Sequence, residues 1–187
     1  SIGVKMHING PNCLTLLRIL SVPALVVALM IPFRGHAVVA FAIFVFASMT
    51  DWLDGYWARR KGQITVFGQL LDPTADKLLI TSALICLVEQ AAVPGWMAII
   101  IIGRELAVSG FRAIASSRGI TIPASRLGKI KMILETWTIA ALILGKGILG
   151  KAYVGAQIGL WLIIIAAVVS AAEYYLRFGP GLLSKRS

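Results

Sequence analysis

DWLDGYWARRKGQITVFGQLLDPTAD, residues 51–76, decides how this chain is read. It lies between two long apolar runs and holds every aspartate of the sequence: Asp51, Asp54, Asp72 and Asp76. The basic triplet Arg59-Arg60-Lys61 divides the aspartates into two pairs. If the apolar flanks are antiparallel helices, residues 60–67 form the turn between them. Asp51 then lies eight residues before Arg59, and Asp76 lies eight residues after Gly68. At about 1.5 Å per residue, both sit roughly 12 Å from the turn. Asp54 and Asp72 pair at a shallower level, so the four carboxylates reach similar depth.

The facing agrees with the depth. Asp51, Asp54, Gly55 and Ala58 follow the i, i+3, i+4, i+7 pattern of one helical stripe. Gly68, Asp72 and Asp76 follow i, i+4, i+8, a second stripe. Carboxylates thus alternate with residues that have almost no side chain, which leaves room for a ligand against the backbone. Two carboxylates about 4 Å apart repel by roughly 4 kcal/mol at an effective dielectric near 20. Four of them in a partly dry site require cations. An all-oxygen donor set without His or Cys favours a hard ion, Mg²⁺ or Mn²⁺, and the count of carboxylates suits two.

Blander readings exist for single residues. Asp72 before Pro73 has the form of a helix N-cap followed by Pro at N1. Gly55 and Ala58 suit a close-packed helix seam. Asp54 could pair with Arg59 or Arg60. None of these accounts for four aspartates on two matched faces.

Composition sets the surroundings. The chain has 187 residues, 58% of them hydrophobic and 14% charged, with a mean hydropathy of +0.86. A soluble domain carries nearer a quarter charged residues. The expectation is an all-α, polytopic integral membrane protein, a single domain over residues 1–187. Its six spans fall near 12–31, 37–58, 68–88, 94–115, 127–149 and 153–176. Each reaches the roughly 17–25 residues that a bilayer requires, and helices satisfy their own backbone in lipid. Met6 after SIGVK reads as a native start, with residues 1–5 as an added junction. Residues 6–11 read as a short interfacial segment. No secretory signal peptide is expected, because the run from Thr15 to Ile31 is too long and no small-residue cleavage site follows it.

The net charge of +10 is unevenly placed. One side of the predicted topology carries Lys5, Arg59-Arg60-Lys61, the stretch from Arg112 to Lys131, and Arg177, Lys185 and Arg186. The other carries Arg34, Lys146 and Lys151. The positive-inside rule puts both termini and the basic triplet in the cytoplasm. The charge therefore speaks for topology and anionic lipid. Nucleic acid is excluded as a partner, because aromatic and basic residues do not interleave. Cys13 and Cys86 read as packing residues. His7 and His36 are isolated and carry no predicted chemistry.

The motif Asp51-x2-Asp54-Gly55-x2-Ala58-Arg59-x8-Gly68-x3-Asp72-x3-Asp76 resembles the signature of the CDP-alcohol phosphotransferases. GPNCLTLLRIL, LLDPTADKLL, GRELAVSGFR, LGKIKM and AEYYL extend the resemblance over most of residues 9–176, toward members whose acceptor is glycerol 3-phosphate. Two positions depart from that pattern: Gly103, where Ala is usual, and Met132, where Thr is usual. The resemblance implies a six-helix membrane fold, a homodimer, and a bacterial plasma-membrane location with the active site facing the cytoplasm. It implies CDP-diacylglycerol as donor and metal dependence. Asp51, Asp54 and Asp72 would hold metals and the donor diphosphate, and Asp76 would act as general base and metal ligand. Gly55, Ala58, Arg59 and Gly68 complete the donor site.

A phosphorylated acceptor needs cations. Arg104 and Arg112 lie eight apart on the fourth span, and Lys129 and Lys131 begin the fifth. Arg104 is the most informative, because an arginine within an apolar run needs a partner. Glu105, about 100° further round the helix, is expected to pair elsewhere. Topology-setting or headgroup contact is the plainer reading of these basic residues. Inositol phosphate or phosphatidylglycerol as acceptor, and a divalent-cation transporter built on the same carboxylates, are the competing functions. Gly155 and Gly159 form a GxxxG pair that could pack helices or a dimer.

Overall fold

Among the described residues, six helices make up the fold: α1 (Gly10–Met30), α2 (His36–Lys61), α3 (Val66–Glu89), α4 (Gly95–Ser117), α5 (Arg126–Leu149) and α6 (Tyr153–Leu183). A single 3₁₀ turn, Gly150–Ala152, links the last two. No strand occurs among the described residues. The computed structural model describes the backbone of residues 10–61, 66–117 and 126–183, and the side chains of 17–50, 74–117, 130–173 and Leu176. The expected interfacial segment falls almost wholly outside the described residues.

Helix positions follow the expected spans, with α2 continuing past Ala58 to Lys61 and α6 past Leu176 to Leu183. One expectation needs correcting. The fifth span is not a continuous helix to residue 149, because Gly145 leaves helical geometry at φ 71°, ψ 172°. Gly150 also has positive φ, 54°. Two glycines in the left-handed region reverse the chain within a few residues, a conformation that a Cβ would strain. Among the described residues, one stretch is long and apolar enough to cross a membrane by length and composition, Ile130–Glu173. It contains this reversal. Leu17–Met30 and His36–Thr50 are apolar but shorter.

By its packing the chain divides into two units, Ser1–Cys86 and Leu87–Ser187. In the first, α1 packs along α2. Leu25, Ala28 and Leu29 of α1 are buried, as are Ala40, Phe44 and Ala47 of α2. The α2 residues follow the i, i+4, i+7 spacing of one helix face. On α3, Ala75, Leu79 and Ala83 form another fully buried stripe.

In the second unit, α6 packs against both α4 and α5. Its core contains Met97 and Ile101 of α4, Ile139 and Leu142 of α5, and Leu160, Ile163 and Ala167 of α6. Trp96 and Trp161 meet at 5.7 Å between ring centroids, tilted by 58°. The GxxxG pair resolves unequally. A Cβ on Gly159 would collide with the Thr138 hydroxyl and lie 3.1 Å from its methyl, whereas Gly155 faces open space. Gly159 is therefore a point of close approach between α5 and α6.

The end of α3 shows a local conflict between sequence and backbone. Ala91 takes φ 55°, while the Ala92 N–H donates to Leu87 O at 2.9 Å and the Ala91 N–H to Val88 O at 2.9 Å. This is a Schellman ending, whose left-handed position glycine fills best.

Outside these cores, large apolar side chains face outward on several helices. They include Leu20 (67% exposed), Ile99 (72%) and Trp137 (67%). Apolar surface on this scale is unusual for a soluble monomer.

Two substitutions test the packing. Ala91→Gly should stabilise the protein by about 0.5–1 kcal/mol by relieving the left-handed alanine. Gly159→Ala should destabilise it by about 1–3 kcal/mol through overpacking, with Gly155→Ala near neutral. Thermal melts in one detergent would measure all three.

Candidate active site

The aspartate motif lies on two helices. α2 is helical from His36 through Lys61, so Asp51, Asp54, Gly55 and Ala58 keep their stripe; α3 begins at Val66, so Gly68, Asp72 and Asp76 keep theirs. The start at Val66 excludes the N-cap reading of Asp72, which lies more than a turn inside α3 together with Pro73. Asp76 is half-buried beside the fully buried Ala75. The side chains of Asp51, Asp54, Gly55, Ala58, Arg59, Gly68 and Asp72 lie outside the described residues. Among the described residues, no three His, Cys, Asp or Glu side chains gather into a metal-binding group. The donor chemistry nevertheless fits a hard divalent ion: two carboxylates on one face of α2 and two on one face of α3, with no softer ligand type in the motif.

At the foot of the α2 stripe is a residue that the sequence reading passed over. Arg18 of α1 is only 1% exposed, and its Nε donates to Ala47 O at 3.3 Å. The Thr50 hydroxyl donates to the same carbonyl at 2.7 Å. Ala47 lies one helical turn before Asp51, on the same stripe. An arginine from α1 and a threonine from α2 thus converge on the turn that leads into the motif. The rule that singled out Arg104, a cation within an apolar run, applies equally to Arg18.

The second unit holds an ionic network built from three helices. On α4, Arg104 Nη1 donates to Glu105 Oε1 at 2.6 Å. Its Nε donates to Ser170 Oγ of α6 at 3.0 Å, and Ser170 Oγ in turn donates to Ala167 O at 3.2 Å. On α5, Lys131 Nζ donates to that same Glu105 Oε1 and to Glu135 Oε2 at 3.1 Å. Two cations therefore share one carboxylate oxygen, and a second carboxylate holds the lysine. Two unit charges about 4 Å apart repel by roughly 4 kcal/mol at an effective dielectric near 20. An anion between them, here the Glu105 carboxylate, offsets that repulsion.

This corrects the expectation that Glu105 pairs away from Arg104. Adjacent residues on a helix diverge by about 100°, but both side chains are long enough to meet beyond the helix surface. The structure brings Arg104 and Lys131 together through Glu105. Arg112 is half-buried on α4, two turns beyond Arg104, and the side chain of Lys129 lies outside the described residues. Glu105, Glu135 and Ser170 were not predicted as site residues. Lys131 and Glu135 are i, i+4 neighbours, a spacing at which opposite charges meet. Ser170 gave no such signal, because a lone serine in an apolar helix usually bonds its own backbone.

Comparison with known proteins gives this geometry its context. Residues 8–172 match the family model of CDP-alcohol phosphatidyltransferases. A relative from Bacillus subtilis is named CDP-diacylglycerol–glycerol-3-phosphate 3-phosphatidyltransferase. It is 38% identical over 180 residues, covering 89% of this chain and 93% of the relative. A relative of the same name from Rickettsia felis is 36% identical over 175 residues, covering 92% of this chain and 96% of its own. A Mycobacterium tuberculosis protein named probable phosphatidylglycerophosphate synthase is 39% identical over 172 residues, covering 90% of this chain and 81% of its own. The chain belongs to the CDP-alcohol phosphatidyltransferase family.

Replacing Arg18 tests its anchoring role. Arg18→Met should cost about 1–3 kcal/mol, the range for losing a buried hydrogen bond from a charged group. Ser21→Ala, further along α1, should cost far less. Comparative thermal unfolding in detergent gives both values.

Proposed function

We propose that this protein transfers the phosphatidyl group of CDP-diacylglycerol to the sn-1 hydroxyl of glycerol 3-phosphate, releasing CMP and phosphatidylglycerol phosphate. The observation that carries this reading is the unbroken helical backbone through both halves of the aspartate motif, in a chain of this family whose relatives bear the name of that reaction.

The chemistry assigns each residue a task. Asp51, Asp54, Asp72 and Asp76 would hold two divalent ions, Mg²⁺ or Mn²⁺, which when bound neutralise charge on the donor diphosphate. Gly55, Ala58 and Gly68 leave the backbone accessible to the nucleotide, and Arg59 contributes positive charge to it. Asp76 accepts the proton of the acceptor hydroxyl. The freed oxygen forms a bond to the phosphorus bearing the diacylglycerol, and the bond from that phosphorus to the CMP oxygen breaks. Arg104 and Lys131, with Arg112 and Lys129, bind the acceptor's own phosphate. A cationic acceptor site favours a phosphorylated alcohol over a neutral one.

The membrane setting belongs to the same proposal. The long apolar stretch Ile130–Glu173, the shorter apolar stretches Leu17–Met30 and His36–Thr50, and outward-facing leucine, isoleucine and tryptophan side chains support a multi-pass protein of the bacterial plasma membrane. The excess of basic residues at the motif end supports a cytoplasmic active site. Homodimeric assembly, implied by the family resemblance, would appear as twice the protomer mass in detergent-corrected light scattering.

The test is CMP release by purified protein supplied with CDP-diacylglycerol and Mg²⁺ or Mn²⁺. Glycerol 3-phosphate, inositol phosphate and phosphatidylglycerol are offered in parallel. Release is expected with glycerol 3-phosphate only and is lost on adding EDTA; release with another acceptor would move the acceptor assignment. Asp76→Asn should lower kcat by about 10²–10⁴-fold, as expected for loss of a general base. A near-wild-type rate would remove Asp76 from that role.

A further inference from the structure

We infer that Glu105 is an exchangeable counter-ion: it occupies the acceptor-phosphate position between Arg104 and Lys131 until a phosphate monoester displaces it. This rests on the acceptor assignment proposed above. Three observations carry it. First, the two cations meet on a single oxygen, Glu105 Oε1, so one anionic group already bridges them as a phosphate would. Second, the members differ in exposure. The side chain of Lys131 is 3% exposed and that of Arg104 is 10%, whereas Glu105 is 26% exposed. The bridging carboxylate is thus the member of this trio that an incoming anion meets first. Third, each cation has another anchor. Ser170 Oγ holds Arg104 Nε at 3.0 Å, and Glu135, 4% exposed, holds Lys131 at 3.1 Å. When Glu105 swings aside, both cations stay in place, and Glu135 continues to balance the lysine.

The exchange follows from charge and geometry. A buried cation pair needs an anion between its members, so a site open to no counter-ion would lose its shape between turnovers. A carboxylate from the same chain fills that need. A phosphate monoester, carrying nearly two negative charges and three acceptor oxygens, outcompetes it. A neutral polyol does not. Glu105 therefore raises the threshold for acceptor entry and sharpens discrimination in favour of phosphorylated acceptors. It acts through Arg104 and Lys131 and is a positioning residue.

The experiment compares wild type, Glu105→Gln and Glu105→Asp in neutral detergent. Calorimetric binding of inorganic phosphate is measured beside steady-state kinetics. Glu105→Gln removes the competing charge and should bind inorganic phosphate about two- to fivefold more tightly, the scale of one partly exposed ion pair. The KM for glycerol 3-phosphate should fall by a similar factor. The KM for CDP-diacylglycerol and kcat should stay within about twofold. Glu105→Asp keeps the charge but shortens the reach, and should fall between the two. It also serves if the glutamine variant does not fold. Weaker or unchanged phosphate binding in a folded variant would overturn the inference, as would a raised acceptor KM. The phosphate arm needs no turnover, so its result stands apart from the acceptor assignment. Wild-type inactivity with glycerol 3-phosphate would instead remove that assignment. A lipid headgroup is the other source of phosphate. If wild type and Glu105→Gln differ in binding micelles that contain anionic phospholipid but not in binding inorganic phosphate, the site is a lipid site and the inference fails.

Discussion

A charge drawn into an apolar interior must bring its counter-charge with it, and much of this structure follows from that demand. In the second packing unit, Arg104 and Lys131 are almost fully enclosed, with Glu105 and Glu135 beside them. The four formal charges cancel. The partners come from three helices: α4 supplies Arg104 and Glu105, α5 supplies Lys131 and Glu135, and α6 supplies the serine that fixes the arginine. Buried ion pairs often add little net stability over apolar packing, yet losing one partner is costly. Such a network is better understood as fixing which faces of three helices meet than as a source of folding energy. In the first unit a single arginine does comparable work. Arg18 ties α1 to the α2 carbonyl one turn before the aspartate motif.

The helices were largely legible in the sequence. Apolar runs of spanning length, separated by short polar connections, leave few alternatives once lipid is the solvent. The interruption at Gly145 was not legible. A glycine within an apolar run is compatible with helix until the returning strand of chain is known to need the room. Ala91 was invisible for the opposite reason: nothing in an alanine announces a left-handed backbone, and only the two hydrogen bonds at the end of α3 impose it. Gly155 and Gly159 are identical in pattern and different in function, because only Gly159 faces Thr138. Which glycine of a pair matters depends on the rotation of the partner helix.

The candidate site was legible in proportion to how local its pattern is. The aspartates repeat at helical spacing within one short window, and two helices are enough to align each pair. The cations were recognisable as residues out of place in apolar runs, and Arg104 and Lys131 share the Glu105 carboxylate. Their carboxylate partners were less visible. Neighbouring Cα–Cβ directions diverge by about 100°, so the pairing of Glu105 with Arg104 depends on side-chain reach, which spacing does not show. Arg18 lies far in sequence from the motif it supports, and no spacing rule links α1 to the Asp51 turn. Long-range partners of this kind follow from tertiary packing alone.

The contact between Gly159 and Thr138 has a mechanical consequence. It lies partway along the α5–α6 hairpin, with the glycine reversal on one side and Lys131, Glu135 and Ser170 on the other. The pair therefore works as a fulcrum. A small wedge inserted there would open the far ends of the hairpin by a larger distance, carrying Ser170 away from Lys131 and slackening the anchor of Arg104. The room that Gly159 leaves for Thr138 thus holds α5 and α6 at the spacing on which the ionic network beyond it depends.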